Sequence, residues 1–372
     1  MIRIAIAGTG AIAERAHIPA LRSVADVQIV ALQSRTADKA ERVARAGWPD
    51  DAGRPAVYSD FDAMLARERP DAVGIFTPNH LHCEFTVKAL SAGAHVLVEK
   101  PMAPTAAAAR EMVDAATRAR RVLMVAMQRR FGGIERAIKD AVTNGAIGRP
   151  HFIRARLSHG GPDSWAPGQK WFTTALEAGG GAMIDLGVHV ADLAIWYMGE
   201  IESVSGQVGT LAKQIEVDDT GAMIMRFKSG AIGVVEASWS SMPALSAIEI
   251  YGSEGRVMAG YPRNDISILK ADGNPAATIK LKDVLDSSIS NLANSRAQLD
   301  NVRGSIGARQ NALDIQASEN ASIGIANTST MSDLANIDMG EAAINLALQQ
   351  TMLQASQLAF VKISQLSLFS KM

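Results

Sequence analysis

The sequence predicts an α/β chain that begins with a doubly wound domain, continues as an α+β domain and ends in a helical hairpin. Three observations predict this order. Short apolar runs alternate with helical segments in the first third, strand-like runs with turn sequences follow, and a proline-free region with seven-residue apolar repeats closes the chain. A chain of 372 residues is long enough to bury more than one core. We therefore expect domains at 1–125, 126–282 and 283–372.

Composition and charge exclude several classes of partner. The chain has 37 basic and 38 acidic residues, so it carries no basic footprint for nucleic acid or for an anionic membrane. The single cysteine, Cys83, cannot form an internal disulfide and is typical of a reducing compartment. The opening MIRIAIAGTG is typical of a buried strand, and no apolar run approaches the roughly 18–20 residues that cross a bilayer. We expect a cytoplasmic protein with no nucleic-acid or membrane partner.

The first third has the alternation of a parallel sheet covered on both faces. Its apolar runs are too short and too continuous for amphipathic helices, and helical segments between them supply the crossovers. Such a sheet binds its ligand at the carboxyl ends of the strands. The predicted strands lie near Ile2–Ala7, Gln28–Gln33, Ala72–Phe76, His95–Val98 and Val122–Met127, and the helices near Ala11–Val24, Ala37–Ala46, Leu81–Ala92 and Ala106–Ala119.

A glycine-rich turn, Gly8–Ala13, stands where the first strand passes into the first helix. Gly8 permits a tight turn, Gly10 lets the backbone approach a pyrophosphate, and Ala13 allows close packing of helix on strand. The helix N-terminus then offers free N–H groups to an anion. In this context the motif predicts a Rossmann-type dinucleotide site that also includes Thr9, Ala11 and Ile12.

The residues at the end of the second strand indicate which nicotinamide cofactor binds. NAD binding usually needs an acidic residue there for the ribose 2′-hydroxyl, roughly 20 residues after the glycines. This chain has Ser34, Arg35 and Thr36 with no carboxylate, and an arginine can pair with a 2′-phosphate. We therefore predict NADP(H), with NAD as the alternative.

Two further segments follow strands on the same side of the sheet. In FTPNHLH, Pro78 and Asn79 would form a turn beside the cofactor together with Thr77, and His82 would join them. His80 and His82 are two residues apart and would face different directions on a helix, so we predict no metal site. In VLVEKPM, Lys100 would reach the nicotinamide and substrate, with Glu99 beside it, and its charge favours an ionised hydroxyl.

The segment EAGGGAMIDLGVHVADL carries the remaining chemistry. Asp185 and His189 are four residues apart, so they share one face of a helix. A carboxylate beside an imidazole, near a lysine, is an acid–base group for moving a hydroxyl proton while a hydride moves to nicotinamide. The alternative is a capped helix with a satisfied core histidine.

Taken in order, AGTGAIA, TPNHLH, VEKP and GGGAMIDLGVHVADL resemble the Gfo/Idh/MocA family of oxidoreductases over about residues 1–282. The resemblance implies that Lys100, Asp185 and His189 line the substrate pocket and that Gln128 and Arg129 lie near cofactor or substrate. It also implies a second domain with a large, mostly antiparallel sheet whose open face makes a homo-oligomer.

The implied activity is hydride transfer between nicotinamide and a secondary alcohol or ketone of a sugar or cyclitol. His189 would take the hydroxyl proton, Lys100 would lower its cost, and Asp185 would orient the substrate and bias the imidazole. The loop around residues 151–172 would line the pocket, and His159, Trp165 and Trp171 are its candidates for contacting a sugar.

The last ninety residues have a different character. All thirteen prolines and all five tryptophans precede residue 283, and apolar residues recur at intervals of seven from Leu285 to Leu313. NLANSRAQLDNVRGSIGARQNALD and the final segment resemble the carboxyl-terminal helices of flagellin and hook–filament junction proteins. The alternative function is therefore a flagellar assembly subunit, pairing through 283–372, in a chimeric gene product.

Overall fold

The computed structural model describes residues 1–261 and 265–280. Two sheets organise this part of the chain, one of six strands and one of eight. The predicted helical hairpin and the flagellin-like segment at 283–372 lie outside the described residues. The predicted domain boundaries at 125 and 282 stay predictions.

The first sheet is entirely parallel and has the strand order β3-β2-β1-β4-β5-β6. The order reverses between β1 and β4, and a crevice at the strand ends of such a switch point is where these sheets bind ligands. The predicted doubly wound domain is confirmed, and β3 is the strand that the apolar runs did not reveal. The strands are β1 (Ile2–Ala7), β2 (Val27–Gln33), β3 (Ala56–Tyr58), β4 (Ala72–Ile75), β5 (His95–Val98) and β6 (Leu123–Val125).

Helices cover both faces of this sheet. Two of them begin at side-chain caps: Asp60 accepts the N–H of Ala63 and Thr105 accepts the N–H of Ala108, and each cap satisfies a backbone donor that the helix itself leaves free. A π-helical turn, Ala13–His17, precedes the first helix, and a 3₁₀ turn, Asn79–Leu81, precedes the fourth. The helices are α1 (Ile18–Arg22), α2 (Ala37–Gly47), α3 (Phe61–Glu68), α4 (His82–Ser91) and α5 (Ala106–Ala119).

The second sheet is mostly antiparallel, as the resemblance implied, with the order β14-β13-β12-β11-β7-β10-β9-β8 and one parallel pair, β7 with β10. In its central strands, such as β9 and β10, residues alternate between a buried and a more exposed face, as expected when one face is covered. The strands are β7 (Pro150–Ser158), β8 (Ile201–Gly209), β9 (Thr220–Phe227), β10 (Ile232–Ser238), β11 (Leu245–Gly252), β12 (Gly255–Tyr261), β13 (Asp265–Lys270) and β14 (Pro275–Lys280).

One face of this sheet packs on the helices of the second domain. Ile138, Leu193 and Tyr197 meet Ile153 and Phe227 in a core of fully or nearly fully buried side chains. The helical stretch Ala175–Met198 is long and apolar enough to span a membrane, and just over half of its most apolar window is buried in the protein (56%). The helices are α6 (Gly133–Thr143), α7 (Pro162–Trp165), α8 (Ala175–Ala178) and α9 (Val188–Met198), with the 3₁₀ turns Gln128–Phe131 and Lys170–Thr173 and the π-helical turn Met183–Gly187.

Candidate active site

A cavity of about 940 Å³ opens at the carboxyl ends of the first sheet and continues between the two domains. The glycine turn forms one end and the loop before α8 forms part of the other. Most of the residues predicted for cofactor and substrate come together here. The predicted residues that line the cavity are Gly8, Thr9, Gly10, Ala11, Ile12, Ser34, Arg35, Thr77, Pro78, Asn79, Glu99, Lys100, Gln128, Trp171 and Asp185.

The glycine turn has the shape that a pyrophosphate needs. Gly8 has a φ of +90°, and a Cβ added there would lie 2.5 Å from the carbonyl oxygen of Phe76, so only glycine fits without strain. A Cβ on Gly10 would meet nothing within 4 Å. That open space and the free N–H groups of the helix start can accept an anion.

Two buried hydroxyls also indicate that the cavity binds a polar ligand. The Oγ1 atoms of Thr9 and Thr77 are buried and have no hydrogen-bond partner among the described residues, and both residues line the cavity. Buried polar groups normally have partners, so these two are placed to bond a polar ligand. The residues present therefore fit a dinucleotide.

The outer end of the cavity is cationic. Arg35 and Lys39 line it together with Ser34, Thr36 and Ser59, and no carboxylate lines this end. Lys39 was not predicted from the sequence, although its position in the first turns of α2, just after Arg35, was a usable signal. Two cations and three hydroxyls are a suitable set for a phosphate group.

Lys100 and Asp185 form an ion pair across the domain boundary. The Lys100 Nζ lies 2.5 Å from Asp185 Oδ1 and donates to the Asp185 carbonyl oxygen at 3.2 Å. The Trp239 indole N–H donates to Asp185 Oδ2 at 3.1 Å. Burial raises the pKa of Asp185, but the Lys100 ammonium, together with His189 and the Trp239 hydrogen bond, holds that pKa below its ordinary value. The carboxylate is therefore ionised and fully occupied by these donors.

The segment that carries Asp185 is held in place by the loop before β9. Asp218, in the loop before that strand, accepts the N–H of Gly181 at 2.7 Å and of Met183 at 2.8 Å, while its carbonyl accepts the N–H of Ala182. A Cβ at Gly181 would collide with the Asp218 backbone. The glycine run thus serves close packing of two backbones, and Asp218 caps the helical segment from outside.

His189 lies on α9 beside this ion pair but does not itself line the cavity. The residue is 7% exposed, and its Nδ1 is buried with no hydrogen-bond partner in the part of the chain that the structure describes. Burial and, to a smaller extent, the Lys100 charge lower the pKa of His189 to about 3, while the Asp185 charge opposes them. The imidazole is therefore neutral, and Asp185 influences it through charge, since the Asp185 oxygens bond Lys100 and Trp239 instead.

Glu99 has a partner that the sequence did not reveal. The His17 Nε2 lies 2.6 Å from Glu99 Oε1, and the Lys100 backbone N–H donates to Glu99 Oε2 at 3.0 Å. Burial raises the pKa of Glu99, but the His17 contact and the Lys100 charge hold it below its ordinary value. A buried carboxylate thus remains ionised in the cavity wall.

Besides His189, two further predicted site residues, His82 and Arg129, do not line the cavity. His82 is fully buried, with its ring nitrogens 2.8 Å from the Pro101 carbonyl and 2.9 Å from the Thr77 carbonyl, because it is the first residue of α4 and points into the domain. Arg129 is held by Glu135 at 2.9 Å and by Ser246. A one-dimensional motif gives proximity to the site but not the direction of a side chain.

The loops from the second domain close the cavity. Trp171 stacks on Phe172 with 3.7 Å between ring centroids, and both line the cavity. The Asn79 side chain donates to the Ala178 carbonyl at 2.8 Å, so this residue links the two domains. His159 does not line the cavity, and its Nδ1 accepts the Gly161 N–H. In the part of the chain that the structure describes, no three His, Cys, Asp or Glu side chains could hold a metal ion together.

The chain has a Rossmann domain with a cavity that fits a dinucleotide, and this cavity leads to a lysine and a carboxylate with an imidazole beside them. These features define the class of nicotinamide-dependent oxidoreductases. Residues 2–127 match the oxidoreductase family with the NAD-binding Rossmann fold, and residues 136–258 match the GFO/IDH/MocA C-terminal domain. The chain belongs to the Gfo/Idh/MocA family of oxidoreductases. The prediction of a dehydrogenase or reductase is confirmed at this level.

Relatives and solved structures agree with the family. The chain is 35% identical over 199 residues to D-glucoside 3-dehydrogenase of Escherichia coli, covering 53% of this chain and 54% of that protein. It thus spans about half the length of this relative. It is 32% identical to 1,5-anhydro-D-fructose reductase of Ensifer adhaerens over 73% of this chain and 81% of the relative. Levoglucosan dehydrogenase in complex with NADH and L-sorbose superposes with a TM-score of 0.68 at 26% identity, covering 75% of this chain and 80% of that one.

The flagellar alternative gains no support. The two matched domains end at residue 258, and the flagellin-like segment lies outside the residues that the structure describes. Everything that the structure brings together in the cavity comes from residues 8–239.

Proposed function

We propose that the protein transfers a hydride between NADP(H) and a secondary alcohol or ketone of a sugar or cyclitol. One observation carries the proposal: Lys100 and Asp185 meet in the wall of a cavity that also fits a dinucleotide. The relatives named for a glucoside, an anhydrofructose and myo-inositol support a sugar-like substrate.

Lys100 and His189 have separate roles in the proposed reaction. In the oxidation direction, a bound nicotinamide supplies the acceptor for the hydride from the carbinol carbon. The Lys100 ammonium lies against the hydroxyl oxygen and stabilises its negative charge, and His189 accepts the hydroxyl proton. The carbon–oxygen double bond forms as the C–H and O–H bonds break. The reverse reaction returns the proton from His189 to the oxygen.

His189 has a suitable protonation state for this role. Its low pKa keeps the ring neutral and free to accept a proton. A low pKa also makes the ring a weak base. The Lys100 charge that contributes to the low pKa of His189 also lowers the pKa of a hydroxyl held beside it. This charge therefore favours loss of the hydroxyl proton, whereas burial, the larger cause, weakens His189 as a base.

The cofactor preference rests on the cationic end of the cavity. Arg35 and Lys39 would face a 2′-phosphate, with Ser34 as a neutral donor, and no carboxylate there would bind a 2′-hydroxyl. Solved relatives contain NADH. Tighter binding of NAD(H) than of NADP(H) would therefore contradict the proposed preference for NADP(H).

Replacing Arg35 with alanine should weaken NADP⁺ binding about 10- to 100-fold and NAD⁺ binding less than about threefold, because a hydrogen bond to a charged group contributes roughly 1.5–3 kcal/mol. Fluorescence titration with both cofactors measures the two dissociation constants. Arg118→Ala, which removes the same charge from the exposed last turn of α5, is the matched control. Equal losses for both cofactors would reject a 2′-phosphate contact.

The proposed activity is tested by titration followed by turnover. We expect NADP⁺ to bind more tightly than NAD⁺ and to be reduced in the presence of at least one member of a panel of glycosides, free hexoses and cyclitols. The stacked Trp171 and Phe172 favour substrates with a ring that can lie against an aromatic face. Absence of binding by either cofactor would overturn the proposal.

We also propose that two copies pair through the exposed face of the second sheet, in the cytoplasm. Ile224 is 56% exposed and Ile232 is 36% exposed on that face, which also carries cross-strand pairs such as Arg156 with Glu249. Light scattering should give at least a dimer at micromolar concentration. A strict monomer would exclude the pairing.

A further inference from the structure

His17 makes two close contacts that the chemistry described above does not use. It is the last residue of the π-helical turn Ala13–His17 and lies outside the cavity lining. Its ring stacks on Phe76 with 3.8 Å between centroids and an interplanar angle of 8°. Its Nε2 lies 2.6 Å from Glu99 Oε1, and the two side chains are 18% and 8% exposed.

The Glu99 carboxylate connects His17 to the backbone of Lys100. One oxygen contacts His17, and the other accepts the backbone N–H of Lys100 at 3.0 Å. With both oxygens occupied, the carboxylate cannot rotate without losing a hydrogen bond in a buried place, where an unsatisfied group is costly. The backbone at Lys100 is therefore fixed by a residue that lies 82 positions from Glu99 in the chain.

The position of that backbone decides where the Lys100 ammonium lies. The ammonium must meet Asp185, which belongs to the other domain. On the far side of the lysine, the Pro101 carbonyl lies 2.8 Å from the His82 ring. The lysine thus stands between two backbone anchors, each provided by an imidazole from a different helical segment.

We propose that His17 is a positioning residue that acts through Glu99 to place the Lys100 ammonium against Asp185 and the substrate oxygen. This inference rests on the proposed function for its kinetic consequence, but the placement of Lys100 does not. A misplacement of about 1 Å at a reacting group can lower the rate about 100-fold, so the effect falls on kcat.

Two variants separate the hydrogen bond from the packing. His17→Phe keeps an aromatic ring against Phe76 and removes the N–H, whereas His17→Gln keeps a donor of similar reach and removes the ring. We expect His17→Phe to lower kcat about 10- to 100-fold, with the KM for substrate and the Kd for NADP⁺ changed less than about threefold. We expect His17→Gln to remain within about fivefold of the original kcat.

A measurement that needs no turnover tests the placement directly. Acetylation of Lys100 by acetic anhydride, followed by peptide mass spectrometry, reports how freely the amine leaves its ion pair. His17→Phe should raise the Lys100 rate several-fold while the surface residue Lys88 reacts at an unchanged rate, and His17→Gln should leave both rates unchanged. If the original protein turns over no substrate, this comparison still decides the proposal.

The opposite order of the variants would overturn the proposal. If His17→Gln loses more activity and more thermal stability than His17→Phe, His17 acts by packing on Phe76. If Lys100 acetylates at the same rate in both variants and in the original protein, His17 does not hold the lysine.

Discussion

Replacing Lys100 with methionine is expected to lower kcat about 1,000-fold, because loss of one stabiliser of a developing oxyanion typically costs about 100- to 1,000-fold. Methionine keeps most of the side-chain length and removes the charge. It also leaves the buried Asp185 carboxylate with the Trp239 N–H as its one remaining side-chain donor among the residues that the structure describes. Breaking a buried ion pair in this way typically destabilises a protein by about 3–5 kcal/mol.

The double variant Lys100→Met, Asp185→Asn separates these two effects. Removing both charges should recover most of the lost thermal stability, since no unpaired buried charge remains, while kcat stays low. Calorimetry and steady-state kinetics on the single and double variants measure the two quantities. A single variant with near-original kcat would remove Lys100 from the mechanism, and recovery of kcat in the double variant would show that the single change acted only on folding.

The pH dependence of the single variant follows from Asp185. Its pKa in the folded protein is lowered, and the Lys100 charge is the largest influence that opposes burial. The original protein therefore gains stability from Asp185 above the ordinary carboxyl pKa and loses it as pH falls. Without Lys100, burial is opposed only by the smaller effects of His189 and of the Trp239 hydrogen bond and raises this pKa, so acid should relieve the destabilisation of Lys100→Met. Unfolding measured between pH 7 and 5 checks the sign.

The local signals in the sequence located most of the site. Gly8 and Gly10 are required by backbone geometry at one turn, and Lys100 follows a strand whose end must face the cavity. Such features depend on a few neighbouring residues, so a single sequence contains them. The sheet order of the first domain follows from the same βαβ logic.

The missed residues act through contacts between distant segments. Glu99 lies 82 residues from His17 in the chain, Trp239 lies 54 from Asp185, and Asp218 lies 37 from Gly181. No periodicity joins such pairs, since they depend on the tertiary fold. His82 and Arg129 show the converse error, because their motifs placed them near the site while packing turned their side chains elsewhere.

Replacing His189 with alanine is the second large effect and should lower kcat about 100- to 10,000-fold, the range for loss of a general acid or base. Cofactor affinity should change less than about threefold, because the ring lies beyond the cavity lining. Steady-state kinetics and fluorescence titration measure the two quantities, and His151→Ala, which changes an exposed histidine at the start of β7, is the matched control. Unchanged turnover would remove His189 from proton transfer.

A stability measurement distinguishes a buried neutral imidazole from a merely packed one. The folded pKa of His189 is lowered to about 3, whereas an unfolded histidine titrates near pH 6.5. Below pH 6.5 the unfolded chain therefore binds more protons than the folded one. As the pH decreases, this group lowers the free energy of unfolding by up to about 1.4 kcal/mol per pH unit. His189→Asn cannot bind that proton, so its stability should fall less steeply than that of the original protein between pH 6.5 and 4.5. Parallel curves would show that His189 titrates alike in both states and would contradict its burial as a neutral base beside Lys100.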